Sequence, residues 1–187
     1  MLTYLPPVMQ AVLLLMVVTA GIYDLRYRRI PNWLTLTGVI LGFGLNTFLY
    51  PAEASPLGGL KRAALGMGLA LLVYFPLYLL RAMGAGDAKL MAAIGSLVGP
   101  GNWIVLFVVT AILGGVTALI VLLFAGRIRK TFWNVGWIMS EVVHLRAPYH
   151  SSEELDVRSS RGMRMPHGAV IALGTIAFLA AKAVWGR

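Results

Sequence analysis

Long apolar runs separated by short polar ones set the rhythm of this chain. A helix crossing about 30 Å of hydrocarbon needs roughly 20 apolar residues. Five runs approach that length: residues 6–23, 33–49, 63–80, 103–125 and 168–185. A sixth, 88–98, covers only about 16 Å at the helical rise and cannot span alone. Gly99-Pro100-Gly101 follows it and must break a helix. The pattern predicts an all-α fold: a polytopic membrane bundle of about six transmembrane helices. The fourth is short, and its first turn begins below the membrane surface. A single membrane domain over 1–187 is expected, with no internal repeat and no low-complexity tract. Met1 to Gln10 lacks the basic segment that opens a cleavable signal, so the first run is read as a span.

Composition agrees. Of 187 residues, 59% are hydrophobic and 12% charged, where soluble domains carry about 25% charged residues. Cysteine is absent, which excludes disulfides, zinc ribbons and thiol catalysis. The formal net charge is +9. In so apolar a chain this reads as a basic face against anionic lipid rather than a nucleic-acid surface. The loop charges also give a direction. One side collects Arg26, Arg28, Arg29, Arg81, Lys89, Arg127, Arg129, Lys130, Arg146, Arg158, Arg161 and Arg164; the other has Lys61, Arg62, Lys182 and Arg187. By the positive-inside rule the first side is cytoplasmic and both termini lie outside. The long inner loop, 126–165, contains "TFWNVGWIMSEVVHLRA". Trp133 and Trp137, spaced i, i+4 after basic residues, suggest an amphipathic helix at the cytoplasmic interface.

The chain has only seven acidic residues. Glu53 falls in the outer loop, and Glu141, Glu153, Glu154 and Asp156 in the long inner loop, where all five can be solvated. Asp24 and Asp87 differ. Asp24 ends the first span in "GIYDLRYRRIPNW", and Asp87 opens the fourth in "GAGDAKLMAAIG". Taken singly, Asp24 reads as interface decoration beside Arg26, Arg28 and Arg29, and Asp87 as a first-turn acid favoured by the helix dipole. Taken together, they are the only acids at span ends, on the same side. Two carboxylates in a confined, partly dry site cannot both ionise cheaply, so the pair holds one proton and offers an acid and a base together. That is the equipment for hydrolysing a peptide bond with an activated water. Aspartyl chemistry needs no metal, and neither a metal nor another cofactor is expected. His144, His150 and His167 lack metal-ligand spacing and read as surface or interfacial. Gly84 and Gly86 would let an extended peptide pass close to Asp87. Lys89 reads either as a snorkelling interface lysine or as a group tuning Asp87 and contacting substrate. Asn32 reads as the N-cap of the second span.

"YDLRYRRIPNWLT" (23–35), "GAGDAKLMAAIG" (84–95) and, more weakly, "RMPHGAVIALG" (164–174) resemble the type IV prepilin peptidase family, the bacterial GxGD intramembrane aspartyl proteases. The resemblance follows the span order over nearly the whole chain. It implies that Asp24 and Asp87 are the catalytic pair and that Gly84 and Gly86 are motif glycines with a backbone role. The implied substrate is a prepilin or pseudopilin precursor with a short basic leader, cut at the cytoplasmic face of the inner membrane. Longer, bifunctional members add a cysteine-bearing cytoplasmic domain near the N-terminus and also methylate the new N-terminus. Here only residues 25–32 follow the first span, and cysteine is absent. The chain therefore resembles the short, peptidase-only branch serving Flp/Tad-type pili. The sequence leaves three alternatives: a protease of this class acting on preflagellins or signal peptides, a secretion scaffold with both Asp residues salt-bridged, and a proton-coupled carrier. The carrier needs polar residues continuing through the midplane, for which Asn46, Thr110 and Thr117 are the weak candidates. Oligomeric state is not legible.

Overall fold

The computed structural model describes residues 4–49, 56–80, 83–124 and 166–185. All the secondary structure in them is helical: α1 (Pro7–Tyr27), α2 (Asn32–Leu49), α3 (Pro56–Leu79), α4 (Ala85–Phe124) and α5 (His167–Trp185). Five helices are long and apolar enough to cross a membrane, and the protein is a multi-pass membrane protein. The expected interfacial helix with Trp133 and Trp137, and most of the inner loop, lie outside the described residues.

The elements are those the apolar pattern predicts, with informative differences at their ends. Pro7 starts α1, where its missing N–H costs nothing. The helix then runs one turn past the apolar run, to Tyr27. Asp24 is therefore inside the last turn rather than at the end of the helix. Arg28 closes it in the left-handed conformation (φ 54°), its N–H donating to the carbonyl of Asp24 at 2.9 Å.

The break predicted at Gly99 is a turn inside α4. Gly99 has φ 75° and ψ 171°, a region open in practice only to glycine. Trp103 Nε1 donates to the carbonyl of Met91 at 3.2 Å. In a continuous helix those two residues would be about 18 Å apart along the axis, so the limb 100–124 runs back along the limb 85–98. The six expected spans are thus α1, α2, α3, the two limbs of α4, and α5.

The first limb of α4 is the central post. Leu90 to Gly99 is buried on every side, which is why the segment is apolar all round instead of amphipathic. Bilayers supply little hydrophobic drive between helices, so close approach of small residues does the packing. Gly66 of α3 and Gly95 of α4 meet backbone to backbone: a Cβ on either would run into the other's carbonyl oxygen. Gly38 and Gly42 of α2 abut Ala93 and Ser96 of the same post. Outward-facing side chains such as Leu15, Phe48, Leu72, Ile112 and Phe124 are exposed, forming the lipid-facing surface.

The post ends at Gly99, which leaves carbonyls that no following helical turn can satisfy. Polar side chains from three directions take them. Asn46 Nδ2 of α2 donates to the carbonyls of Ser96 (2.8 Å) and Leu97 (3.1 Å). Arg62 Nη2 of α3 donates to Val98 at 2.6 Å, and Asn102 Nδ2 from the return limb donates to the same oxygen at 3.2 Å. Lys182 Nζ of α5 reaches Asn102 Oδ1 at 3.5 Å. Two cations therefore stand at the negative end of a helix dipole. Asn46, expected as a possible step in a polar relay, is a cap for a broken helix.

Candidate active site

The site is at the end of the bundle opposite the Gly99 turn. Three helix ends meet there: the last turn of α1, the first turn of the α4 post and the start of α5.

Asp24 comes from α1 and is 7% exposed. Its turn lies against the start of α5 because both sides are small. A Cβ on Gly21 would sit 3.1 Å from the Cβ of Ala172, and one on Gly168 would sit 3.1 Å from Cβ and Cγ of Asp24. This contact allows the N–H of Ala169 to donate to Asp24 Oδ2 at 3.3 Å. Asp24 thus takes one of the orphan donors of the α5 N-terminus, where the dipole favours an acid. His167, the first residue of α5, is half-buried within electrostatic range of Asp24. In the sequence that histidine reads only as surface or interfacial, with no neighbour to distinguish it.

Asp87 comes from the first turn of α4 and is partly exposed. Asp24 and Asp87 lie within electrostatic range of one another. The structure brings together the two acids singled out by their position in the sequence. Tyr74 of α3 is within electrostatic range of Asp87. Its ring is 2% exposed and packs edge-on against Trp103 and Phe107 of the return limb, with centroids 6.2 Å and 5.9 Å away. Nothing in the sequence singled out Tyr74: a tyrosine in an apolar span has no distinguishing context.

The two motif glycines make room for this chain's own atoms. A Cβ on Gly84 would sit 3.2 Å from Asp87 Oδ2, so that glycine clears space for the carboxylate. A Cβ on Gly86 would sit 3.2 Å from the Cβ of Ile30, so the space beside Gly86 is filled by the loop between α1 and α2. Lys89 is exposed, and its Nζ donates to Asn32 Oδ1 at 2.9 Å. That bond ties the rim of the site to the start of α2, and it occupies the side chain that was expected to cap the helix. Among the described residues no group of three His, Cys, Asp or Glu side chains is placed to hold a metal ion.

Apolar helices, a broken central post and two acidic side chains near helix ends define a class: a polytopic membrane protein with two carboxyl groups gathered at one end of its bundle. This chain belongs to the type IV leader peptidase family, whose family model matches residues 11–119, more than half of its 187 residues. The match includes Asp24, Ile30, Gly84, Gly86 and Asp87, and stops before α5. No curated protein and no solved structure matches the chain. Membership makes the protein a peptidase in class.

Proposed function

We propose that the protein is a membrane-embedded aspartyl endopeptidase that removes the short basic leader from prepilin-like precursors. The observation that carries this reading is that Asp24 of α1 and Asp87 of α4 lie within electrostatic range of one another, in a chain of the type IV leader peptidase family. In this reading one carboxyl of the pair is protonated and the other is not. The carboxylate takes a proton from a water between them as the water oxygen attacks the peptide carbon. The protonated carboxyl gives its proton to the carbonyl oxygen. The tetrahedral intermediate then collapses: one carboxyl proton passes to the amide nitrogen, the C–N bond breaks, and the other carboxylate takes a proton from a gem-diol hydroxyl as the C=O re-forms, so the pair again holds one proton. The Ala169 N–H supports the reading by fixing one oxygen of Asp24, since a catalytic group must be held in place. Lys89, on the rim, is a substrate contact in this scheme.

The arginine-rich loops support a location in the inner membrane with the site facing the cytoplasm and both termini outside. The basic surface there would leave an equally basic leader in water while the apolar helix of the substrate approaches through the lipid. The absence of cysteine favours peptidase activity without N-methylation.

The test is cleavage of a purified prepilin by the protein reconstituted in lipid. The wild type is expected to cut. Asp24→Asn and Asp87→Asn should each lower cleavage by at least about 10³-fold, the scale seen when one member of a catalytic unit is removed, with the helical circular dichroism unchanged. Activity retained in either folded variant would remove that residue from the pair.

A further inference from the structure

Ile30 stands where the two helix starts of the site meet. It belongs to the loop joining α1 to α2, six positions after Asp24, and its side chain is partly buried against the core. The side chain reaches both walls. A Cβ on Gly86, in the first turn of α4, would lie 3.2 Å from Ile30 Cβ and 3.6 Å from Ile30 Cγ1. A Cβ on Gly168, in the first turn of α5, would lie 3.0 Å from Ile30 Cδ1. Gly168 also abuts Asp24, and Gly86 is the residue before Asp87. The branched side chain therefore fills a notch between the helix start that carries Asp87 and the helix start that holds Asp24. The loop cannot swing far. It has only residues 28–31 to join two helices, with Arg28 fixed as the α1 cap and Pro31 restricting its own φ.

We infer that Ile30 is a specificity-determining residue: it is the apolar wall that limits the size of the substrate side chain next to the scissile bond. This rests on the peptidase reading above. A peptide whose carbonyl reaches the pair must lay a flanking residue along the α4–α5 notch. With Ile30 in the notch, that residue has room for little beyond its backbone or a methyl group.

The experiment uses the full chain in lipid vesicles. The substrates are single-span precursors with a basic leader, varied among Gly, Ala and Leu on each side of the cut. The wild type should cut the Gly and Ala forms and discriminate against Leu at one of the two positions. Ile30→Ala should raise the Leu-to-Gly ratio of kcat/KM at that position by roughly tenfold or more, the scale of discrimination that a small change in an apolar pocket supports. Ile30→Val should move it the same way by less, and it keeps the test open if the alanine variant does not fold. A structural filler would instead lower all substrates together and leave the ratio unchanged, which overturns the inference. A folded wild type that cuts no precursor overturns the peptidase reading itself, and this inference with it.

Discussion

Asp24 has two tasks in one carboxyl group. It lies within electrostatic range of Asp87, and it caps α5 through the N–H of Ala169. The two tasks separate by substitution. Asparagine keeps an acceptor oxygen for the cap but cannot supply an acid–base carboxyl, so Asp24→Asn should be inactive with stability close to wild type. Asp24→Ala loses the cap as well and should be less stable by about 1 kcal/mol, the usual cost of a lost helix cap, read from reversible unfolding in detergent. Equal stability of the two variants would show that the Ala169 bond contributes little. Gly168→Ala is the complementary prediction. Its Cβ would press on Asp24 and Ile30 from one point, so cleavage should fall more than for Gly84→Ala, whose Cβ meets only the Asp87 carboxylate at 3.2 Å and beyond. At this scale the carboxylates were legible in the sequence because an acid at the end of an apolar run is conspicuous. Ile30, Gly168 and Tyr74 were not. Each acquires its role from a neighbour on another helix, and local pattern carries no trace of that.

The element that organises the rest is the doubled α4. Gly99-Pro100-Gly101 announces a break, and the shortness of 88–98 announces a limb that cannot span. The backward course of the return limb and the capping of the post were hidden, because Asn46 and Arg62 belong to helices distant in sequence. Asn46→Leu would leave the Ser96 and Leu97 carbonyls without their side-chain donor in a buried place. It should destabilise by about 1–3 kcal/mol, the desolvation cost of unsatisfied buried polar groups, again read from unfolding in detergent. Gly99→Ala should be at least as harmful, since alanine does not adopt φ 75°, ψ 171° without strain of about 1–3 kcal/mol, and its Cβ would collide with the Arg62 side chain. If Asn46→Leu leaves unfolding unchanged, the carbonyls find other donors and the cap is redundant.

For the whole molecule, the number of spans was the most legible feature, because hydropathy is a property of long segments and tolerates local error. The natural absence of cysteine makes the predicted orientation easy to measure. Arg29→Cys should react with a membrane-impermeant maleimide only after the membrane is opened, and Ala52→Cys should react from the outside in intact cells. The reverse pattern would turn the site toward the other compartment. The short central post also acts on the surrounding lipid. Residues 85–98 rise only about 21 Å, against roughly 30 Å of hydrocarbon. If Asp87 is level with one surface, the polar turn with Arg62 and Lys182 stops about 10 Å below the other. Headgroups and water drawn toward those cations would dimple the leaflet on that side and make the bilayer thinner beside the protein. A substrate helix of ordinary length arriving there has surplus apolar length. It can relieve that mismatch by sliding toward the carboxylates, where its emerging end would unwind. The bilayer itself would then help present the peptide bond to the site.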